Sequence, residues 1–320
     1  MDVLITGAGG FIGKALCRRL SSYNKVIGID IIKKPDKYVN IAWEQTDLTN
    51  FNSMRTICKN YSPDLVIHCA GVAHQKIGAV DAITYMRVNS EVTENLAKAT
   101  FENNPDVCFI FLSSISVYGE ENLSMATSEE SEGNPSSDYA LSKLDAERRL
   151  IALYNGGNIH KLFILRLAPV YDREWSLNLD RRVFAPKKLT YLRFGSGLQK
   201  MSALARPNLI DFIEFLLQRG LQTQGVNILN LCDTYPYELN QIINVFRRSN
   251  IQVARPIIPV PLSLVWIATR LAGSLFHDKR KWLHSCYDKV ASDILISNRN
   301  MLRTGFKPRF SLETVFSPRK

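Results

Sequence analysis

Val3-Leu4-Ile5-Thr6-Gly7-Ala8-Gly9-Gly10-Phe11-Ile12-Gly13 decides the fold. A compact apolar run breaks into a glycine-rich turn. Apolar residues then recur at three- and four-residue steps from Phe11 to Leu20, which predicts strand, loop and helix in that order. In that setting each glycine has a use. Gly7 permits the tight turn, Gly10 lets a pyrophosphate approach the backbone, and Gly13 lets the helix pack on the strand. The helix start, at Phe11 and Ile12, favours an anion through its N–H groups and the positive end of its dipole. A second apolar run, Lys25 to Ile29, ends at Asp30, about 20 residues after Gly10, where a carboxylate accepts hydrogen bonds from the ribose hydroxyls of an adenine dinucleotide. That carboxylate repels a 2′-phosphate, so NAD is expected in preference to NADP; Lys33 and Lys34 are the nearby residues that would argue for NADP.

The same alternation continues through the first half of the chain. Further strands are predicted at Leu65–His68, Cys108–Leu112 and Leu162–Leu165, and helices at Ser53–Tyr61, Ala82–Asn103 and Asp138–Tyr154. Successive strand–helix–strand units of this kind build a doubly wound parallel sheet, a Rossmann-like α/β fold. Beyond Val170 the pieces are shorter and broken by proline, with helical patterns at Asn208–Arg219 and Leu239–Arg248. The expected division is a dinucleotide-binding domain over residues 1–170 and a smaller α+β substrate-binding lobe over residues 171–320, packed closely on it.

Composition excludes several classes. With 320 residues, 46% hydrophobic and 22% charged, the chain is globular rather than disordered or fibrous. Its net charge of +10 resides wholly in residues 246–320, which carry fourteen Lys/Arg against four Asp/Glu. Aromatic residues are not interleaved with these cations in a nucleic-acid motif, so no nucleic-acid partner is expected. The six cysteines, Cys17, Cys58, Cys69, Cys108, Cys232 and Cys286, form no C-x-x-C pair and are expected to be reduced in a cytoplasmic protein. His68, His74 and His160 lack carboxylate or thiol companions at ligand spacing, so no metal is expected. The opening residues have neither the basic nor the apolar region of a signal peptide, and export is not expected. The apolar stretch Leu262–Phe276 falls short of the ~20 residues of a spanning helix. It is expected to be a partly buried helix, with attachment to a membrane surface as the lesser alternative.

Tyr139-Ala140-Leu141-Ser142-Lys143 places a phenol and an ammonium four residues apart on one helix face. A neighbouring cation favours the phenolate, lowering the phenol from its usual pKa of ~10 toward the range where it can exchange a proton with an alcohol or ketone. Ser113-Ser114-Ile115-Ser116-Val117-Tyr118-Gly119 ends the predicted strand from Cys108, at the carboxyl edge where doubly wound sheets bind ligands, and offers a hydroxyl to orient the reacting oxygen.

Taken together, these motifs make the chain resemble the extended short-chain dehydrogenases/reductases that act on nucleotide sugars. The likeness rests on Gly7-x-x-Gly10-x-x-Gly13, Asp30, Asp47-Leu48, His68-Cys69-Ala70-Gly71, Val88-Asn89, Ser113-Ser114-x-x-Val117-Tyr118-Gly119, Tyr139-x-x-x-Lys143 and Arg166-Leu167-Ala168-Pro169-Val170-Tyr171. The resemblance implies that Asp47 and Leu48 touch the adenine, that Ala70, Gly71, Ala168 and Val170 line the cofactor, and that Asn89 supports its site. It further implies that Ser114 is the catalytic hydroxyl, Tyr139 the acid/base and Lys143 its ribose-binding, pKa-lowering partner. Ser114, Ser116, Tyr139, Asn178 and Arg206 are the implied substrate-binding residues, with Arg181 and Arg182 as further diphosphate candidates.

Departures from the family pattern narrow the reaction. Where 4,6-dehydratases have Asp-Glu after the catalytic Thr, this chain has Ile115-Ser116, which disfavours dehydration; Ile115 also replaces the Cys of the 3,5-epimerase-reductases. The remaining expectation is redox at C4 of a nucleotide sugar, with UDP the expected nucleotide. It is met by a UDP-glucose or UDP-N-acetylhexosamine 4-epimerase, or by a 4-keto-6-deoxyhexosamine 4-reductase, serving bacterial-type surface polysaccharide. Met201 and Arg206-Pro207, in place of the epimerases' Arg and acids, and Asp172, in place of a Gly, leave that choice open. The alternative outside catalysis is an NAD-binding scaffold or sensor of the same fold. The family also implies a homodimer through the helices Ala82–Asn103 and Asp138–Tyr154.

Overall fold

β1 (Asp2–Thr6) is buried almost throughout and lies between two parallel neighbours, β2 (Lys25–Asp30) and β4 (Leu65–His68). The computed structural model describes the whole chain except residues 37, 74–79, 120–125, 220–223, 250–254, 276–282, 284–286, 289 and 318–320. His74 and Cys286 therefore lie outside the described residues. Around β1 the sheet grows in both directions, adding β3 (Ile41–Gln45) beyond β2 on one side. On the other it adds β5 (Cys108–Ser114), β6 (Lys161–Leu167) and β11 (Gly225–Leu231). The seven strands run in the order β11-β6-β5-β4-β1-β2-β3. The order reverses at β1, and the carboxyl ends of β1 and β4 flank the crevice where such sheets take ligands.

All five expected strands are present. The two outer strands, β3 and β11, were not anticipated. Helices α1 (Gly13–Leu20), α2 (Phe51–Tyr61) and α5 (Asp138–Asn155) match expectation to within two residues at their ends, α1 beginning two later and α2 two earlier. The span Ala82–Asn103 is helical throughout. A π-helical turn, Arg87–Glu91, divides it into α3 (Ala82–Met86) and α4 (Val92–Asn103). Caps mark the starts: Asn50 accepts from the Ser53 N–H, Asp81 from Thr84 and Ser137 from Ala140. The core of this layer joins Leu4, Val66, Phe109, Phe111 and Ile164 from the sheet to Leu96 and Leu150 from the helices. Burying each such side chain contributes about 1.5–3 kcal/mol.

Two compact units divide the chain. The first comprises residues 1–117, 133–166 and 210–229; the second comprises 118–132, 167–209 and 230–320. The chain leaves the first unit for residues 118–132 and again after residue 166, and returns for part of α7 (Arg206–Gln218) and most of β11. Arg19 of α1 holds the later part of α7 through Asp211 at 3.2 Å and Glu214 at 2.6 Å. The second unit has short strands and a core rich in stacked rings, among them Tyr171, Phe184, Tyr191, Phe246 and Phe316. It includes β7 (Val170–Tyr171), α6 (Leu177–Val183), β8 (Tyr191–Phe194), β9 (Lys200–Met201), β10 (Leu204–Ala205) and β12 (Tyr237–Glu238). Further along come α8 (Leu239–Arg248), β13 (Ile257–Val260) and α9 (Leu262–Leu275). α9 is partly buried, as expected, with Leu262, Val265, Thr269 and Ala272 half-covered along one side. Gly273 alone of its residues is buried, because only one side of the helix is packed and the opposite apolar side faces solvent.

Candidate active site

The loop after β1 fits its glycines closely. Gly7 has φ +61°, and a Cβ there would meet the Ala70 backbone at 2.9 Å; one on Gly13 would meet the Gly7 carbonyl oxygen at 2.1 Å. A Cβ on Gly10 would meet a single atom, that same oxygen at 3.1 Å, so Gly10 serves approach from outside rather than internal packing. No side chain caps the start of α1 at Ile12. Asp30 Oδ2 accepts the Gly9 N–H at 2.8 Å and Oδ1 accepts that of Ile32 at 3.2 Å, so the carboxylate holds the loop tip at the end of β2. Gly9 thereby joins the site, although sequence spacing had singled out only the other three glycines. This cradle, with an acid at its ribose end, suits an adenine dinucleotide. Asp47 lies exposed in the turn after β3, its Oδ1 accepting from the Thr49 N–H and hydroxyl, while Leu48 is buried in the core.

His68, at the end of β4, is fully buried and both ring nitrogens are engaged. The Thr93 hydroxyl donates to the Asn89 carbonyl and so accepts from Nε2–H; Nδ1 then accepts from the Thr6 hydroxyl, which in turn accepts the Ala70 N–H. Burial, reinforced by the positive Lys143, pushes the imidazole down to about 3. His68 is thus a neutral structural tie between β1, β4 and α4. Among the described residues no cluster could hold a metal ion.

Asn89 sits in the π-helical turn, where the widened backbone points its amide at the segment after β4. Its Oδ1 accepts the Val72 N–H at 2.7 Å, and its Nδ2 donates to the Val72 carbonyl and to Ser142 Oγ. Ser142 in turn donates to the Tyr139 carbonyl at 2.8 Å. A Cβ on Gly71 would strike Asn89 Oδ1 at 2.9 Å. One side chain therefore fixes both the Ala70–Gly71 segment and the first turn of α5.

Ser114, Tyr139 and Lys143 converge. Ser114 ends β5, and its Oγ accepts from the Ser116 hydroxyl at 2.8 Å and the Ser116 N–H at 3.2 Å, which leaves its proton for the Tyr139 phenol oxygen, its hydrogen-bond partner. Lys143 Nζ donates to the Leu112 carbonyl at 2.9 Å and stands 4.6 Å from the Phe111 ring centroid. Burial pushes its ammonium down to about 8 against the opposing pull of Cys69 and Glu147. The expectation that Lys143 would lower the phenol is not realised here. Burial raises the Tyr139 hydroxyl, and the influence that lowers it is the Ser114 hydrogen bond. Tyr85 of α3 meets the Tyr139 ring edge-on at 6.3 Å and also disfavours its ionisation.

One turn beyond Lys143, Glu147 is buried; it accepts from the Ser113 hydroxyl and pairs with Arg166 at 2.7 Å. The acid was overlooked, although it continues the four-residue stripe Tyr139, Lys143, Glu147 along α5.

The other expected residues belong to the second unit. The Ala168 N–H donates to the Leu231 carbonyl at 2.9 Å, and Val170 pairs with Leu204 between β7 and β10. Asn178 lies half-buried on α6. The three arginines differ. Arg181 is exposed and Arg206 pairs with Asp172 at 2.5 Å, whereas Arg182 is buried and its Nη2 has no partner among the described residues.

Comparison with known proteins decides the family. A model of the NAD dependent epimerase/dehydratase family matches residues 3–229. The chain belongs to that family. It is 32% identical over 324 aligned residues to UDP-glucose 4-epimerase of Vibrio cholerae, covering 98% of this chain and 93% of that protein. A dTDP-glucose 4,6-dehydratase of Haemophilus influenzae is 29% identical over 163 residues, 45% of this chain and 48% of its own length. The fold matches UDP-glucuronic acid 4-epimerase from Bacillus cereus, solved with NAD, at TM-score 0.73 and 21% identity over 99% of this chain and 96% of the other. Membership makes the protein an NAD-dependent enzyme of nucleotide-sugar chemistry, and the Gly7–Gly13 loop with Asp30 fits that cofactor.

Proposed function

We propose that the protein epimerises a UDP-sugar at C4. The observation that carries this reading is the convergence of Ser114, Tyr139 and Lys143 at the end of β5 and the start of α5, in the unit that also holds the glycine-rich loop. NAD, which the Gly7–Gly13 loop and Asp30 would hold, would supply the hydride acceptor and donor for the C4–H bond. The Tyr139 oxygen takes the proton of the C4 hydroxyl as the C–H bond breaks, and gives it back when the carbonyl is reduced. Ser114 steers that oxygen through a hydroxyl polarised by Ser116. Lys143, fixed by the Leu112 carbonyl, supplies a positive charge for the nicotinamide ribose, while the Ser114 hydrogen bond favours the ionised phenol. Asn178 and Arg182 on α6 are proposed for the diphosphate, to which a buried guanidinium offers charge-assisted hydrogen bonds.

A second reading, one-way reduction of a 4-keto sugar, is favoured by Met201 and Arg206, where epimerases carry an Arg and acids. Incubation of the purified protein with UDP-glucose and UDP-N-acetylglucosamine, followed by chromatographic separation of the 4-epimers, tests the first. Epimer formation with retained NAD and no added cofactor is expected. Turnover only of a 4-keto sugar with consumption of NADH selects the reductase, and no turnover of either substrate class rejects both. The product is a glycosyl donor for surface polysaccharide in the cytoplasm, a compartment in keeping with the five described cysteines, all unpaired. Helices α3–α4 and α5, which expose Ile83 and Leu141, are proposed to pair with their copies in a homodimer; a monomeric mass by light scattering would contradict this.

A further inference from the structure

α9 is packed on one side only. Leu262, Val265 and Thr269 form its half-buried stripe, while Leu264, Ile267, Leu271 and Leu275 line the opposite side with exposures of 58%, 45%, 61% and 76%. The helix grows out of β13, which pairs in parallel with β8, so residues 255–275 and 184–198 form one corner of the second unit. Eight of the eighteen large hydrophobic residues exposed among the described residues lie in these two segments. The same segments contain Lys187, Lys188, Arg193, Arg255 and Arg270 and no Asp or Glu. Trp266 stands beside Arg270, its ring 4.9 Å from the guanidinium carbon.

We propose that this corner binds the surface of an anionic lipid bilayer, with α9 lying in the plane of the headgroups. An apolar stripe flanked by tryptophan and by cations is the pattern of an interfacial helix. The 14 residues of α9 extend about 21 Å along its axis. No helix among the described residues is long and apolar enough to cross a membrane, so the helix lies on the bilayer rather than through it. Charge decides between occupants. Lys188 is already paired with Asp180 at 2.6 Å, so a second copy meeting this corner across a two-fold axis would set Lys187, Arg193, Arg255 and Arg270 against their own copies, whereas anionic headgroups complement these four.

The test uses the full chain with NAD, floated with vesicles of phosphatidylcholine alone or with 30% phosphatidylglycerol. The expected result is at least tenfold tighter binding to the anionic vesicles, weakened by raising NaCl from 50 to 300 mM, and weakened more than tenfold in Leu264→Ser/Leu271→Ser. Both leucines are solvent-exposed, so the variant keeps its melting temperature and its NAD binding. Absence of flotation overturns the proposal, as does equal flotation of the variant. A variant that loses oligomeric mass in light scattering while its vesicle binding stays the same would assign the corner to a second copy and overturn it too.

Discussion

Both units hold a satisfied buried polar network, in the second around Asp233, which accepts from Tyr171, Tyr237 and Asn208, but they differ in how many buried atoms stay unpaired among the described residues. In the first, the Thr6–His68–Thr93–Asn89 chain and the Ser113–Glu147–Arg166 cluster give each buried member a partner, and they tie β1, β4, α4 and α5 into one frame. In the second, Arg182 Nη2, Tyr191 OH and Gln199 Oε1 are buried without a partner among the described residues; the first unit holds one such atom, Asn227 Nδ2. A satisfied network fixes geometry before any ligand arrives, whereas an unsatisfied buried donor lowers stability until something outside the chain meets it. The first unit's frame is thus fixed before any ligand arrives, and the second unit keeps more buried atoms whose pairing is open among the described residues.

The largest expected effect tests whether the first unit's frame serves chemistry. Tyr139→Phe removes the proton carrier and leaves the ring in its packing against Tyr85, so kcat falls by about 10²–10⁴ with NAD binding and melting temperature retained. Steady-state kinetics measure it. Retained turnover would move the acid/base role to another group and dissolve the link between frame and function.

How much of this was legible in the chain follows from the same contrast. Gly7, Gly10, Gly13 and Asp30 were readable because short-range backbone geometry demands those residues at those spacings. Tyr139 and Lys143 were readable because helical periodicity alone brings them onto one face. Glu147 obeyed the same period but was passed over, since its role comes from Ser113 and Arg166, which only the folded sheet delivers. The outer strands β3 and β11 escaped notice because half-buried edges lack the continuous apolar run that marks a central strand. For α9, composition announced an apolar helix but could not say which side was covered. Arg181, Arg182 and Arg206 were equivalent in sequence, and only burial and the Asp172 pair separate them.

The next effect is one of stability and tests the neutral chain through His68. The unfolded imidazole binds a proton near 6.5 and the folded one near 3, so between these values the unfolded state holds more protons. Stability is intact above pH 6.5 and declines as pH falls toward 3, by on the order of 4 kcal/mol from this residue. Denaturant midpoints from pH 7 to 4 should therefore fall more steeply in the wild type than in His68→Asn, even though the variant is weaker at pH 7. Parallel slopes would show that the ring is charged in the fold and the hydrogen-bond order wrong.

Lys143 gives a smaller change of opposite sense. Its ammonium is held down to about 8 by burial, so the charged form that function requires lowers stability at neutral pH. Lys143→Met should raise stability at pH 7 by about 1–3 kcal/mol while abolishing turnover, and the gain should shrink as pH rises from 8 to beyond 10.5, where the wild-type amine is neutral in both states. A destabilised variant would mean that the Leu112 hydrogen bond outweighs desolvation.

Arg182 sharpens the comparison from the side of the second unit. Burial pushes its guanidinium down to about 10 against the opposing pull of Asp293, and its Nη2 lacks a partner among the described residues. Removing an incompletely paired buried cation relieves that penalty, so Arg182→Met should raise the stability of the substrate-free protein by about 1 kcal/mol. If the diphosphate supplies the missing partner, the same change raises KM for the nucleotide sugar about tenfold, the loss of one charge-assisted contact, with kcat little altered because the arginine acts on binding and not on the reacting carbon. Calorimetric melting with and without UDP separates the two parts, since UDP should stabilise the wild type more than the variant. A variant that loses stability without substrate and keeps its KM would make Arg182 a structural residue, and the second unit would then resemble the first.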